Sequence, residues 1–431
     1  MSGVPSPTRT ASTSIKRSIL GNLVRPWLLR LLDRLDDGQL ELVDPLGRRR
    51  LGSDARDLEA GGESQTTTDL CGEVEIADTG VYPRLIWGGS IGAAETYADR
   101  RWSSPDLTSV IRLLARNRDV GKALDGPASR LLGLTQQLRH RWRTNTRRQS
   151  QRNIGDHYDL GNDFFETFLD PTLTYSCAVF PTPDADLETA SRHKLDLICR
   201  KLDLQPDDRL LEIGTGWGSL CLHAASAYGC QVVTTTISRE QYQRATERVQ
   251  AAGLCDRIRI EMLDYRDLPD RYPERFDKLV SVEMIEAVGR AFLPRYFEIC
   301  DELLIPGGRG LIQAIVIDDD LYASYATGVD FIQRYIFPGG FLPSVAIMRE
   351  LTARTALEVV KVDDITHHYP PTLRAWRAAL HRRWFDLISL GYPDRLLRLW
   401  DYYFCYSEGG FLERTIGDVQ VTLTKPRSPS P

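Results

Sequence analysis

From residue 205 onward the chain alternates short apolar runs with longer amphipathic stretches. "RLLEIG", "QVVTTTI", "IRIEML", "DKLVSVEM" and "RGLIQAIVI" read as strands. Segments such as "SREQYQRATERVQAAG" between them read as helices. Strand and helix in alternation predict an α/β fold with a largely parallel sheet covered on both faces. In such sheets ligands bind outside the carboxyl ends of the strands. Upstream, apolar residues at Ile15, Ile19, Leu20, Leu23, Val24, Trp27, Leu28, Leu31, Leu32 and Leu35 form a helical stripe. Pro26 is expected to kink that helix or to start a second one. The stripe fits packing on its own domain, an amphipathic helix at a membrane surface, or a cleaved targeting segment. Between residues 38 and 102, "GQLELVDPLGRRRLG" predicts a hairpin and "VYPRLIWGG" a strand. "AETYADRRW" starts a polar helix, and residues 106 to 116 form another, amphipathic one.

The chain is 431 residues long, enough for two domains. The division falls into an N-terminal accessory domain (1–105), a helical and basic linker (106–152), a catalytic domain (153–425) and a disordered tail (426–431). A net charge of −5 excludes a polyanion binder as a whole. Local basic charge is concentrated in "RHRWRTNTRRQSQR", Arg139 to Arg152, with six arginines and no acid. That stretch is either a solvated linker or a contact for anionic lipid headgroups. Nucleic acid is not expected, since no recognition motif accompanies it. The eight cysteines are scattered without a CxxC pair, which speaks against structural zinc and a disulfide framework and fits a reducing cytoplasm. No apolar run approaches the roughly 18 residues needed to span a bilayer.

The most specific stretch is "LLEIGTGWGSL" (210–220), a strand running into a glycine turn and a helix. It lacks the Gly-Lys-Ser/Thr of a P-loop. Its spacing is G-x-G-x-G, and the next strand ends in Thr234, Thr235 and Thr236 rather than in a ribose-binding acid. An acid, Glu212, instead precedes Gly214, Gly216 and Gly218. A carboxylate there suits a cationic amino acid tail, which points to S-adenosylmethionine.

Further motifs occur in order: "HYDLGNDFFETFLDPTLTYSCAVF" (157–180), "TISREQ" (236–241), "LDYRDL" (263–268), "FIQRYIFPGGFLPS" (331–344) and "YPPTLRAW" (369–376). Together with the glycine turn they resemble the cyclopropane-fatty-acyl-phospholipid synthase family over roughly residues 153 to 425. The resemblance implies a Rossmann-like class I methyltransferase sheet, with helical insertions forming a lipid cavity and a smaller N-terminal α+β domain before it. It implies methylene or methyl transfer from S-adenosylmethionine to the cis double bond of an unsaturated phospholipid acyl chain. The enzyme is then cytoplasmic and peripheral at the inner membrane face, touches the membrane transiently, and a homodimer is allowed for. The 320–357 insertion is expected to build the acyl cavity.

The resemblance carries roles onto particular residues. A bicarbonate ion is implied as the base, held by Cys177, Glu286, the backbone of Ile315, and Tyr369. Tyr158, Tyr175 and Ser176 are implied to contact the cofactor's carboxylate and ribose region. Gly214 and Gly216 allow its close approach, Thr236 and Gln241 replace the ribose acid, and Asp264 and Tyr265 flank the adenine. Gln313 stands where the best-known members carry a histidine in the anion site. An amide hydrogen-bonds but does not titrate. A longer-lived cation then opens a route to methylene- or methyl-branched chains beside the cyclopropane. A non-catalytic lipid-binding protein and a small-molecule methyltransferase are the readings from other classes.

Overall fold

The computed structural model describes residues 18–52, 70–124 and 160–427. Two compact units, residues 1–132 and 133–431, make up the chain.

In the first unit, α1 (Ile19–Leu32) starts at Ser18, whose side chain accepts from the Gly21 amide. The helix is continuous through Pro26, so the proline does not start a second helix. Its second half buries Leu28, Leu31 and Leu32, and that packing outweighs the one backbone hydrogen bond that proline removes. Its first half leaves Ile19, Leu20, Leu23 and Trp27 exposed. The hairpin forms as expected from β1 (Gln39–Asp44) and β2 (Gly47–Leu51). It joins β3 (Cys71–Ile76) and the short β4 (Trp102–Ser103) in the sheet order β2-β1-β3-β4. "VYPRLIWGG" is not a strand. It opens α2 (Val81–Ala98), with "AETYA" as the end of the same helix. The apolar run alone does not separate a buried helix from a strand, and this one buries Val81, Tyr82, Ile91, Ala94 and Tyr97 at helical spacing. The amphipathic helix is α3 (Leu107–Arg116), capped by Asp106, and α4 (Arg118–Leu124) follows. Among the described residues of this unit one charged group is buried: Asp44 receives the Arg25 guanidinium at 2.5 Å, the Leu46 amide at 2.9 Å and the Tyr82 hydroxyl.

The second unit is built on a seven-stranded sheet. In chain order its strands are β5 (Arg209–Ile213), β6 (Gln231–Thr236), β7 (Ile258–Met262), β8 (Phe276–Val282), β9 (Leu304–Ile317), β10 (Glu358–Asp364) and β11 (Ile416–Thr424). Their spatial order is β10-β11-β9-β8-β5-β6-β7. The five expected strands are all present and run parallel to one another. Strands β10 and β11 were not anticipated, and β11 runs antiparallel to both β9 and β10. Side chains alternate between the faces. Leu210, Val280 and Leu311 pack with Leu195 and Ile198 of α5 (Leu187–Leu202). Leu211, Leu279 and Ile312 pack on the other side, with Phe297 and Leu303 of α7 (Leu293–Leu303). Between β6 and β7 lies α6 (Arg239–Ala251). After β10 come α8 (Tyr369–Arg382) and α9 (Asp394–Leu412). Strand order reverses between β5 and β8, so the carboxyl ends of those two strands form the crevice in which such sheets bind ligands.

Candidate active site

The glycine turn sits at the end of β5. The Gly214 and Thr215 amides both donate to the Thr235 carbonyl, at 3.1 and 3.0 Å, which pins the turn to β6. Gly216 has φ +52°, and a Cβ added there meets no protein atom within 4 Å. The conformation needs glycine, and the space above it is open to a ligand. Glu212 is buried with Oε2 unpartnered. Burial pushes its carboxyl up to about 8, against a hydrogen bond from Thr234 and the charge of Lys194. An orphaned acid beside an open glycine cradle fits a ligand with a cationic amino group. Nearby, the Thr236 hydroxyl donates to Gln241 Oε1 at 2.9 Å, and both side chains are buried. Asp264 holds the Arg266 guanidinium at 2.5 Å, and Tyr265 packs edge-on against Tyr296 with its hydroxyl buried and unpartnered. Tyr158 lies outside the described residues.

The residues expected around an anion converge, but on a side chain of the protein. Glu283, one residue beyond β8, is half-buried. Its Oε1 accepts from the Cys177 amide at 2.7 Å and from Gln313 Nε2 at 2.8 Å. Its Oε2 accepts from the Tyr369 hydroxyl at 2.5 Å. Gln313 Nε2 also donates to Asp418 Oδ2 at 3.0 Å, and Gln313 Oε1 accepts from Gln420 Nε2 at 3.0 Å. Glu286 faces the same region: its Oε1 accepts from the Ile315 amide at 2.5 Å and its Oε2 has no partner. The Ser176 hydroxyl accepts from Lys194 Nζ at 2.6 Å, so Ser176 belongs to this centre.

Burial dominates the electrostatics. It raises Glu286 to about 8, with the charge of Glu283 adding to the shift. Asp418 is pushed well above the carboxylate range by burial and then by Glu283, so the two carboxyls titrate as a pair. Burial also raises Glu283, opposed by Tyr369, Cys177, Lys194 and Gln313. The Cys177 thiol is raised well above its ordinary value by burial, with Asp418 and Glu283 adding, so it stays protonated and its contribution here is the backbone amide. Lys194 is pulled down by burial.

Aromatic rings enclose the centre. Tyr175 packs against Trp376 at 5.3 Å, and Phe337 of the 320–357 segment packs against Tyr403 at 5.9 Å. Tyr369 stacks on Phe411 at 4.2 Å. Such a shell excludes water and presents π faces to a developing positive charge.

Glu283, Asp418, Gln420 and Lys194 escaped the sequence reading. The available signal was polar residues at apolar positions: Asp418 and Gln420 interrupt an otherwise apolar strand, and Glu283 interrupts "LVSV-MI". A bicarbonate ion does not fit these residues as they stand. Three of its expected holders are spent on the Glu283 carboxylate, and an added anion would face that carboxylate without a directly bonded cation.

A class I methyltransferase sheet with a glycine turn, an acid at the end of its first strand and a buried polar centre beside it defines an S-adenosylmethionine-dependent methyltransferase. The family follows: residues 145–421 match the model of the mycolic acid cyclopropane synthetase family, and the chain belongs to it. The chain is 41% identical over 351 residues to the tuberculostearic acid methyltransferase UfaA1 of Mycobacterium tuberculosis, covering 79% of this chain and 80% of that one. It is 33% identical to the cyclopropane-fatty-acyl-phospholipid synthase of Escherichia coli, over 82% and 88% of the two chains. Among solved structures, the mycolic acid cyclopropane synthase CmaA1 complexed with SAH and CTAB aligns with a TM-score of 0.58 at 31% identity, over 64% of this chain and 98% of that one. Among the described residues no helix is long and apolar enough to cross a membrane, and no group of side chains could hold a metal ion.

Proposed function

We propose that this enzyme transfers the methyl group of S-adenosylmethionine to the cis double bond of an unsaturated phospholipid acyl chain. The observation that carries the reading is the water-excluding aromatic shell around buried carboxylates. An alkene needs no protein nucleophile to attack a sulfonium methyl. It needs alignment, exclusion of water, stabilisation of the cation that forms, and removal of one proton. Glu212 and the turn from Gly214 to Gly218 hold the cofactor, which supplies the electrophilic methyl. Thr236 and Gln241 face its ribose, and Asp264 and Tyr265 its adenine. Tyr175 and Trp376 shield the reacting carbons. Glu286, neutral at physiological pH, and Tyr369 keep the carboxylate centre in place.

An acyl substrate is supported by the names of the relatives, one a fatty-acyl-phospholipid synthase and one a tuberculostearic acid methyltransferase. Access to a bilayer surface is supported by Phe385, Ile388 and Leu390, exposed beside Arg382 and Arg383. The basic Arg139–Arg152 stretch lies outside the described residues.

Cyclopropane is the product when the proton leaves the transferred methyl and the ring closes. One observation favours a second outcome, a methylene branch. Gln313 is locked by Glu283, Asp418 and Gln420 and takes up no proton, so deprotonation at the added methyl has one titratable neighbour fewer than a histidine provides. Lipid mass spectrometry with NMR on a host expressing the chain distinguishes ring from methylene. Unmodified host lipids, with the protein present, reject the acyl substrate. Gln313→His is expected to shift a mixed product toward the ring. A change of about 1.4 kcal/mol between the two barriers alters their ratio tenfold. A ratio that does not move removes Gln313 as the determinant.

A further inference from the structure

We propose that the Glu283 carboxylate takes the proton lost by the alkylated acyl chain, occupying the place where the family resemblance puts a bicarbonate ion, so that turnover needs no added anion. The inference rests on methyl transfer to an alkene as the activity and goes beyond it.

Two independent observations carry it. The first is occupancy. Cys177, Gln313 and Tyr369, expected to gather around an exogenous anion, donate to the two oxygens of Glu283 at 2.5 to 2.8 Å. A carboxylate has about four acceptor positions, so three donors fix its orientation and leave it able to accept a proton. The second is the backbone. Glu283 has φ +46°, in the left-handed region that favours glycine. A strained non-glycine residue at the mouth of a ligand crevice indicates that the side chain is retained for its chemistry. Burial raises both Glu283 and its neighbour Asp418, so this centre favours holding a proton.

The step balances without a further reactant. The alkene π pair forms the bond to the methyl carbon as the sulfonium C–S bond breaks, and the sulfur keeps that pair. The neighbouring alkene carbon becomes cationic. Glu283 then removes one proton. If it comes from the added methyl, the C–H pair closes the three-membered ring. If a hydride has first moved from the methyl-bearing carbon to the cation, the same C–H pair forms the methylene double bond. A carbocation is so strong an acid that position, not basicity, limits the transfer. Glu283 returns its proton to solvent when the product leaves.

The test uses the full chain, S-adenosylmethionine and vesicles of a dioleoyl phospholipid, in carbon-dioxide-free buffer with and without added bicarbonate. Wild type should turn over equally in both. Glu283→Gln should lose about a hundredfold or more and gain nothing from bicarbonate, because the amide fills the cradle without accepting a proton. Glu283→Gly relaxes the backbone and empties the cradle, so it should be inactive without bicarbonate and recover about tenfold or more with it. A second readout is independent of the acyl substrate: isotopically labelled bicarbonate followed by NMR should bind Glu283→Gly and not wild type. Wild type that binds bicarbonate, or is stimulated severalfold by it, overturns the proposal, as does a Glu283→Gly variant fully active without it. If no vesicle is methylated by any variant while the NMR result holds, the substrate reading has failed and the assignment of the cradle to Glu283 stands.

Discussion

Two buried carboxylates, one in each unit of the chain, are bonded by a tyrosine hydroxyl and a backbone amide, and they differ in the third partner. Asp44 receives Tyr82, Leu46 and the Arg25 guanidinium. Glu283 receives Tyr369, Cys177 and the neutral amide of Gln313. Burial pushes both carboxyls up. At Asp44 the guanidinium, with Tyr82 and Leu46, more than reverses the shift and holds the group below its ordinary range. At Glu283 the donors do not reverse it, and the shift stays upward. The Lys194 ammonium, whose charge acts on Glu283, donates to the Ser176 hydroxyl. A buried acid matched by a cation is a fastener. A buried acid matched by neutral dipoles keeps its affinity for a proton and can trade one.

That contrast breaks most visibly through stability. Arg25→Met strands the Asp44 charge, and removing one partner of a buried pair costs about 3 to 5 kcal/mol. Denaturant unfolding should show the loss, while turnover per folded molecule is unchanged. A stable Arg25→Met protein would make the Asp44 group no fastener.

The reverse pattern is expected at the other centre. Tyr369→Phe should lower kcat by about a hundredfold, the scale of a misplaced proton acceptor. It should leave the melting temperature close to wild type and S-adenosylmethionine affinity intact. A large drop in melting temperature with normal kcat would make Glu283 a second fastener.

Glu212 is a third case, a buried acid with an oxygen left open. If the cofactor completes it, closing the space above Gly216 should weaken cofactor binding more than any change at Glu283. Gly216→Val is expected to weaken S-adenosylmethionine binding by about tenfold or more in calorimetry, a cost of about 1.4 kcal/mol or more. Circular dichroism should report an intact fold, and unchanged affinity moves the cofactor elsewhere.

The smallest effect is a pH dependence. The folded carboxyl of Glu212 lies at about 8, above its ordinary 4.5. Its contribution to stability is therefore fully present below about pH 4.5 and is lost as pH rises through 8. Glu212→Gln should raise the melting temperature of the ligand-free protein by a few degrees at pH 8 and by little at pH 5. Equal shifts at both pH values would contradict a protonated Glu212.

How far the sequence reaches depends on how local each feature is. Glu212, Gly214 and Gly216 lie within five residues, and their strand, turn and helix are written in consecutive side chains. The central parallel strands β5, β8 and β9 carry mostly apolar runs because both of their faces are covered, whereas the edge strand β7 alternates apolar and charged residues. "VYPRLIWGG" is equally apolar and became a helix, since a short buried run fits either period until its neighbours choose. Cys177, Gln313 and Tyr369, and their meeting at one site, are legible through motif resemblance, and the carboxylate on which they meet is not.

By itself the sequence determined the α/β class, the hairpin, the glycine turn and the acid before it. Each is decided by periodicity and by backbone freedom within a few residues. Only the tertiary structure decided what the buried centre is. It depends on β11, unmarked in the sequence, lying antiparallel beside β9 to bring Asp418 and Gln420 to Gln313. It depends equally on Cys177 and Tyr369, 192 residues apart in the chain, closing on one carboxylate. A hydrogen-bond network takes its energy from partners distant in sequence and from the exclusion of water around them, and neither is written at any single position.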